Sequence, residues 1–110
     1  MKVSSLRPRP QVRHRFHPAD EERIPVACGC YVITDNADNV LYIGKASRSI
    51  RSRFKAHQSD KYKRVTLDGR RPVNFFYTLH VDFTGVERGW INIAIAADGK
   101  LPPFNLVDAT

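Results

Sequence analysis

Five side chains in this sequence are of the types that move protons and meet anionic oxygen: Tyr31, Tyr42, Arg53, His57 and Glu87. A phenol and an imidazole can each donate and accept a hydrogen bond, so they can hold or relay a proton. A guanidinium is a fixed cation whose planar fork matches phosphate or carboxylate. A lone carboxylate can take a proton or ligate a hard divalent cation. Singly, each has a plainer explanation. A core tyrosine packs and hydrogen-bonds, an arginine on a basic helix is solvated, a glutamate in the first turn of a helix favours its dipole, and a histidine sits at the surface. Only the elements that carry them can give the five a shared purpose.

The elements follow from hydrophobic period and turn chemistry. Val26–Thr34 and Asn39–Gly44 are apolar and rich in β-branched and aromatic residues, and Asp35-Asn36-Ala37-Asp38 between them is a turn composition. A hairpin follows. With that four-residue loop, Thr34 faces Asn39 and Tyr31 lies directly opposite Tyr42, which puts their Cβ atoms about 5 Å apart on one face. Ser47 is the expected N-cap of a helix running to about Gln58, with Ile50 and Phe54 facing the core. Ser49, Arg53 and His57 form a row beside that stripe. Val73–Val81 reads as a third strand. A helix over Thr84–Ala97 follows, with Thr84 and Glu87 at capping-box spacing and Val86, Trp90, Ile93, Ala94 and Ala97 as its apolar stripe. Leu101–Asn105 reads as an extended coda, and Asp68-Gly69 as a loop. The order strand, strand, helix, strand, helix gives the expected class as α+β, a small sheet with helices packed on it.

Charge adds a direction. Of the net +7, residues 45–71 hold ten Lys/Arg against two acids, while residues 25–44 hold no base. Concentrated cationic surface attracts polyanions by steering and counterion release. No apolar run is long enough to span a bilayer, and no basic helix has a fully apolar face, so a membrane partner is not expected. Residues 1–24 are basic and proline-containing. They read as an N-terminal arm, either a disordered tail or a nucleic-acid contact, ahead of a domain over residues 25–110. Cys28-Gly29-Cys30 lacks the second Cys/His pair a zinc site needs and is badly placed for a disulfide, so both cysteines are expected as small apolar residues. Met1–Pro10 lacks the apolar core of a secretory signal, and the expected location is the cytoplasm.

In order, Gly29-Cys30-Tyr31, then Tyr42-Ile43-Gly44-Lys45-Ala46, then Ile50-Arg51-Ser52-Arg53-Phe54, then Glu87 followed by Trp90-Ile91, and finally Pro103-Phe104-Asn105 resemble the GIY-YIG nuclease family over roughly residues 28–105. Cys30 replaces the usual aliphatic residue. The resemblance implies a three-stranded, mainly antiparallel sheet flanked by helices, and an endonuclease hydrolysing DNA phosphodiesters with one divalent cation, Mg²⁺ or Mn²⁺. It aligns Glu87 with the metal ligand, Arg53 with the catalytic arginine, Tyr31 and Tyr42 with the motif tyrosines, and His57 with a histidine of some members. It matches Asn105 to a structural or site-supporting asparagine and Lys45 to a lysine implicated in some members.

Gly29, Gly44, Arg48 and Arg51, and by the resemblance Lys45 and Asn105, are expected to bind substrate, with the two glycines exposed so that backbone approaches it closely. Tyr31 is the expected general base, its phenolate favoured by Lys45, Arg53 and the metal. The chain has no room for a dedicated sequence-reading domain, so low sequence specificity or a preference for single-stranded or branched DNA is expected. Three alternatives stand beside this one: a nucleic-acid-binding module on the same fold without catalysis, an RNA-directed nuclease, and an interaction protein whose basic face docks an acidic partner.

Overall fold

The structure, a computed structural model, describes residues 1–60 and 69–107. The loop expected at Asp68-Gly69 therefore lies partly outside the described residues.

The hairpin forms where turn chemistry placed it. β2 (Gly29–Thr34) and β3 (Val40–Ala46) are antiparallel. Asp35 builds the turn: its carboxylate accepts from the N–H groups of Ala37 (2.9 Å) and Asn39 (2.8 Å) and from the Asn39 side chain (2.9 Å). Asp38 takes the left-handed conformation, with φ of 63°, which Asp tolerates better than most residues. The register differs from the expected one. Thr34 pairs with Val40, and a bulge then shifts the ladder so that Ile33 pairs with Tyr42 and Tyr31 with Gly44. Loop and bulge together move the pairing by two positions, an even number. Tyr42 therefore keeps Tyr31's face and lies diagonal to it instead of opposite.

The sheet has four strands, not three. β4 (Asn74–Leu79) pairs with β2, and β1 (Val12–Arg15) pairs with β4, giving the antiparallel order β1-β4-β2-β3. The extra strand comes from the segment read as an arm, and that segment is built into the fold. Val3, Leu6 and Ile24 are buried, the Val40 N–H donates to Met1 O at 2.8 Å, and the Trp90 indole N–H donates to Pro8 O at 2.8 Å. Its sparse apolar residues supply the reason. Val12, His14 and Phe16 alternate; His14 stacks on Tyr77, and Phe16 packs on Phe54 and Phe75.

As the central hairpin strand, β2 is buried along its whole length and separates two cores. On one face Tyr31, Ile33, Tyr42 and Phe75 pack against Ile50 and Phe54 of α1 (Ile50–Ser59), with Ile24 and Phe104. On the other, Cys30, Val32 and Ile43 pack against Val86, Trp90 and Ala94 of α2 (Phe83–Asp98), with Val3 and Leu6. The N-cap of α1 is Ser49, not Ser47; its hydroxyl accepts from the Ser52 N–H at 3.1 Å. Asp82 caps α2 through the Gly85 N–H at 3.2 Å, and Gly99 closes it at φ 73°. The Thr84/Glu87 capping box is thus not used. The expected extended coda is a short helix, α3 (Pro103–Val107).

Candidate active site

Tyr31 is the hub of one group of side chains. It is fully buried, and its ring stacks on Phe75 with centroids 5.2 Å apart and on Tyr42 at 6.0 Å. Its hydroxyl shares a 2.7 Å hydrogen bond with His57 Nε2 and accepts from Arg53 Nε at 3.3 Å. The Tyr42 ring lies 4.7 Å from that of His57, and Tyr42 is close enough to Tyr31 and Arg53 to influence the ionisation of both. The i, i+4 spacing of Arg53 and His57 puts both on the side of α1 that overlooks the tyrosines. His57 is buried and Arg53 is exposed, so the guanidinium is the outer end of the network.

Gly44 makes the arrangement possible. A β-carbon there would lie within 2.5 Å of the Tyr31 hydroxyl oxygen and 2.8 Å of Tyr42 Cε1. Gly29 likewise has Ile50 Cδ1 at 3.0 Å and the Thr78 carbonyl pressed against its Cβ position. Both glycines are buried. They give room to Tyr31, Ile50 and β4, and not to an approaching substrate as expected.

Electrostatics corrects the role expected for Tyr31. Burial raises its pKa well above the usual phenol value, the neighbouring Tyr42 adds to the rise, and Arg53 only partly offsets it. Lys45, expected to help stabilise a phenolate, does not share that face. It pairs in register with Cys30, whose side chain joins the α2-side core. Tyr31 is thus held as a neutral phenol at neutral pH, hydrogen-bonded to Arg53 and His57.

On the α2 side, Lys45 Nζ lies 3.9 Å from Glu87 Oε1, and the Glu87 side chain is 22% exposed. With Asp82 capping the helix, Glu87 has no capping duty to explain it. Burial raises its pKa, against the lowering effects of Lys45 and Arg88. Beneath it the Cys30 thiol donates to Phe83 O at 2.9 Å; burial, then the Glu87 charge, push this thiol up to about 12. Cys30 is therefore an inert core group, as expected, and Cys28 is a partly exposed free thiol.

The remaining expected site residues divide. Arg48 is exposed beside the start of α1. Asn105 is turned inward: its side-chain oxygen accepts from Ile43 N–H and its amide nitrogen donates to Ile43 O, both at 2.9 Å. It acts as a one-residue strand pairing with the edge of β3. Arg51 is also engaged by backbone, with Nε donating to Ile24 O at 2.7 Å and a terminal nitrogen to Glu22 O at 3.0 Å. Asn105 fits the structural role the resemblance allowed it, and Arg51 is held by backbone carbonyls instead of being displayed to a substrate as expected.

The family model of the GIY-YIG catalytic domain matches residues 27–85, more than half of the chain. The protein belongs to the GIY-YIG family. No curated protein matches the chain. GIY-YIG domains are endonucleases, so a nuclease-type function acting on nucleic acid follows for this one. The GIY-YIG match contains Tyr31, Tyr42, Arg53 and His57 and stops short of Glu87 and Asn105. It also begins after β1 and after Ile24, so part of the core on the tyrosine side comes from outside it. No helix among the described residues is long and apolar enough to cross a membrane.

The donor set for a cation is narrow. Among the described residues, no three His, Cys, Asp or Glu side chains come together. A single part-exposed carboxylate at Glu87 fits a hard, mostly hydrated cation such as Mg²⁺, which uses one or two protein carboxylates and completes its shell with water and substrate phosphate.

Proposed function

We propose that the protein is a divalent-cation-dependent DNA endonuclease with little sequence preference, or with a preference for single-stranded or branched DNA. The observation that carries this reading is the Arg53–Tyr31–His57 network, with its one exposed cation at the outer end. β3 is one of the two edge strands, with the tyrosine network on one face and Lys45–Glu87 on the other; Asn105 and Met1 cover its edge at Ile43 and Val40.

In this reading Arg53 neutralises a non-bridging oxygen as the attacking water forms its bond to phosphorus and the bond to the leaving oxygen breaks. The proton lost by water enters beside Tyr42, which stacks on Tyr31, and rests on His57 as the neutral Tyr31 hydroxyl takes it up and gives its own across the 2.7 Å bond. The departing oxygen takes its proton from solvent. Glu87 would hold the cation, Mg²⁺ or Mn²⁺, which when bound supplies charge neutralisation at the phosphate. Lys45, Arg48, Arg53 and Lys55 are exposed and suit phosphate contact, which carries affinity but no sequence information. The test is cleavage of single-stranded, duplex and branched DNA, and of RNA, with and without Mg²⁺ or Mn²⁺, by the wild type and Glu87→Ala. Cation-dependent DNA cleavage abolished by Glu87→Ala supports the proposal. Binding without cleavage under every condition favours a non-catalytic nucleic-acid module, and cleavage confined to RNA favours the RNA-directed reading.

A further inference from the structure

The helix that carries Arg53 and His57 is held by a stretch of chain that largely precedes the family domain. At the start of α1 the Ile50 N–H donates to Ala27 O at 3.0 Å and the Arg51 N–H to Pro25 O at 3.1 Å. These are helix-start donors without intrahelical partners. The Arg51 side chain reaches back to Ile24 O and Glu22 O. Ile24 is fully buried in the same core as Tyr31, Phe54 and Phe75. Residues 22–27 are therefore anchored to the core at Ile24, and α1 is anchored to them by four hydrogen bonds. Apart from the Arg53 and His57 bonds to Tyr31 at the site itself, α1 packs through Ile50 and Phe54, contacts that are apolar and non-directional and by themselves leave the helix free to roll or slide slightly. A charged fork on two carbonyls is directional and removes that freedom.

We propose that Arg51 is a positioning residue: it sets the place of Arg53 and His57 against Tyr31 through the carbonyls of residues 22–27 and does not contact the substrate. The proposal rests on the nuclease reading above for its kinetic consequences, but its structural content stands apart from that reading. The His57–Tyr31 bond of 2.7 Å leaves little slack, so a small displacement of α1 breaks it.

The experiment compares full-length wild type, Arg51→Ala and Arg51→Lys, each alone and with Arg53→Ala, in single-turnover DNA cleavage and in salt-dependent DNA binding. The ¹⁵N signals of the His57 ring are followed in the free proteins. Arg51→Ala should lower kcat by on the order of tenfold to a hundredfold, change KM by less than about twofold, leave the salt slope of binding unchanged, and shift the His57 ring signals. Arg51→Lys, which can still reach one carbonyl, should fall between, and is read in the same way if Arg51→Ala does not fold. In the Arg53→Ala background little further loss should follow. A salt slope reduced by about one with kcat unchanged would make Arg51 a phosphate contact and overturn the proposal. So would unchanged His57 signals, or a full extra loss in the Arg53→Ala background. If the wild type cleaves nothing, the nuclease reading fails, and the His57 signals alone decide the positioning claim.

Discussion

Gly44→Ala adds one methyl group, and the structure says where it lands. The new carbon falls within 2.5 Å of the Tyr31 hydroxyl oxygen and 2.8 Å of Tyr42 Cε1, against ordinary contact distances of about 3.5–4 Å. Tyr31 cannot simply retreat, because its ring is stacked on Phe75 at 5.2 Å and its hydroxyl is bonded to His57 at 2.7 Å. Gly44 is not among the residues with positive φ, so the cost is steric and not conformational. Overpacking of this kind costs about 1–3 kcal/mol, and losing the Tyr31–His57 bond adds about 1 kcal/mol, so about 2–4 kcal/mol of stability should go. A shift of about 1 Å in the network should slow cleavage by on the order of a hundredfold. Urea unfolding gives the first number and single-turnover cleavage the second. A Gly44→Ala variant within about 0.5 kcal/mol of wild type, within the range of a bland substitution, and cleaving at the wild-type rate, would refute the claim that Gly44 is there for Tyr31.

Other consequences follow from the same contacts. Gly89→Ala is the counterpart: nothing lies within 4 Å of its Cβ position inside α2, so the change should stabilise by up to about 1 kcal/mol in urea unfolding. Asn105→Ala leaves the Ile43 N–H and C=O without their side-chain partner and should cost about 1–3 kcal/mol, with faster amide exchange at Ile43. Burial raises the Asp35 pKa, but hydrogen bonds from Asn39 and Ala37 outweigh it and hold the carboxyl below its ordinary value. Its stabilising effect is therefore fully present above the unfolded carboxylate pKa, about 3.9, and disappears as pH falls through the lower folded value. Urea unfolding of wild type and Asp35→Asn should show a stability gap near neutral pH that closes in acid.

The elements that repeat a strong local signal were legible in the sequence. The hairpin, α1 and α2 all lie where period and turn residues predicted them, and the polar side chains hydrogen-bonded to Tyr31, Arg53 and His57, were both among the candidates. What escaped was set by tertiary contact. The fourth strand lies in a stretch whose composition is dominated by charge and proline, and only the alternation of Val12, His14 and Phe16 marks it. The register depended on a bulge that no residue type announces. The inward turns of Arg51 and Asn105 depend on carbonyls and an edge strand that are distant in sequence. The raised pKa of Tyr31 comes from burial, which the sequence did not quantify and which outweighs the single nearby guanidinium.

The central claim is that the Tyr31 hydroxyl organises a cleavage site, and Tyr31→Phe tests it most directly. The substitution removes one oxygen and keeps the ring on Phe75. Single-turnover DNA cleavage with Mg²⁺ should fall on the order of a hundredfold or more, through the lost positioning of Arg53 and His57, with folding stability changed by only about 1–2 kcal/mol. A Tyr31→Phe variant that folds and cleaves within about twofold of wild type, too small a change for a lost transition-state contact, would contradict the account.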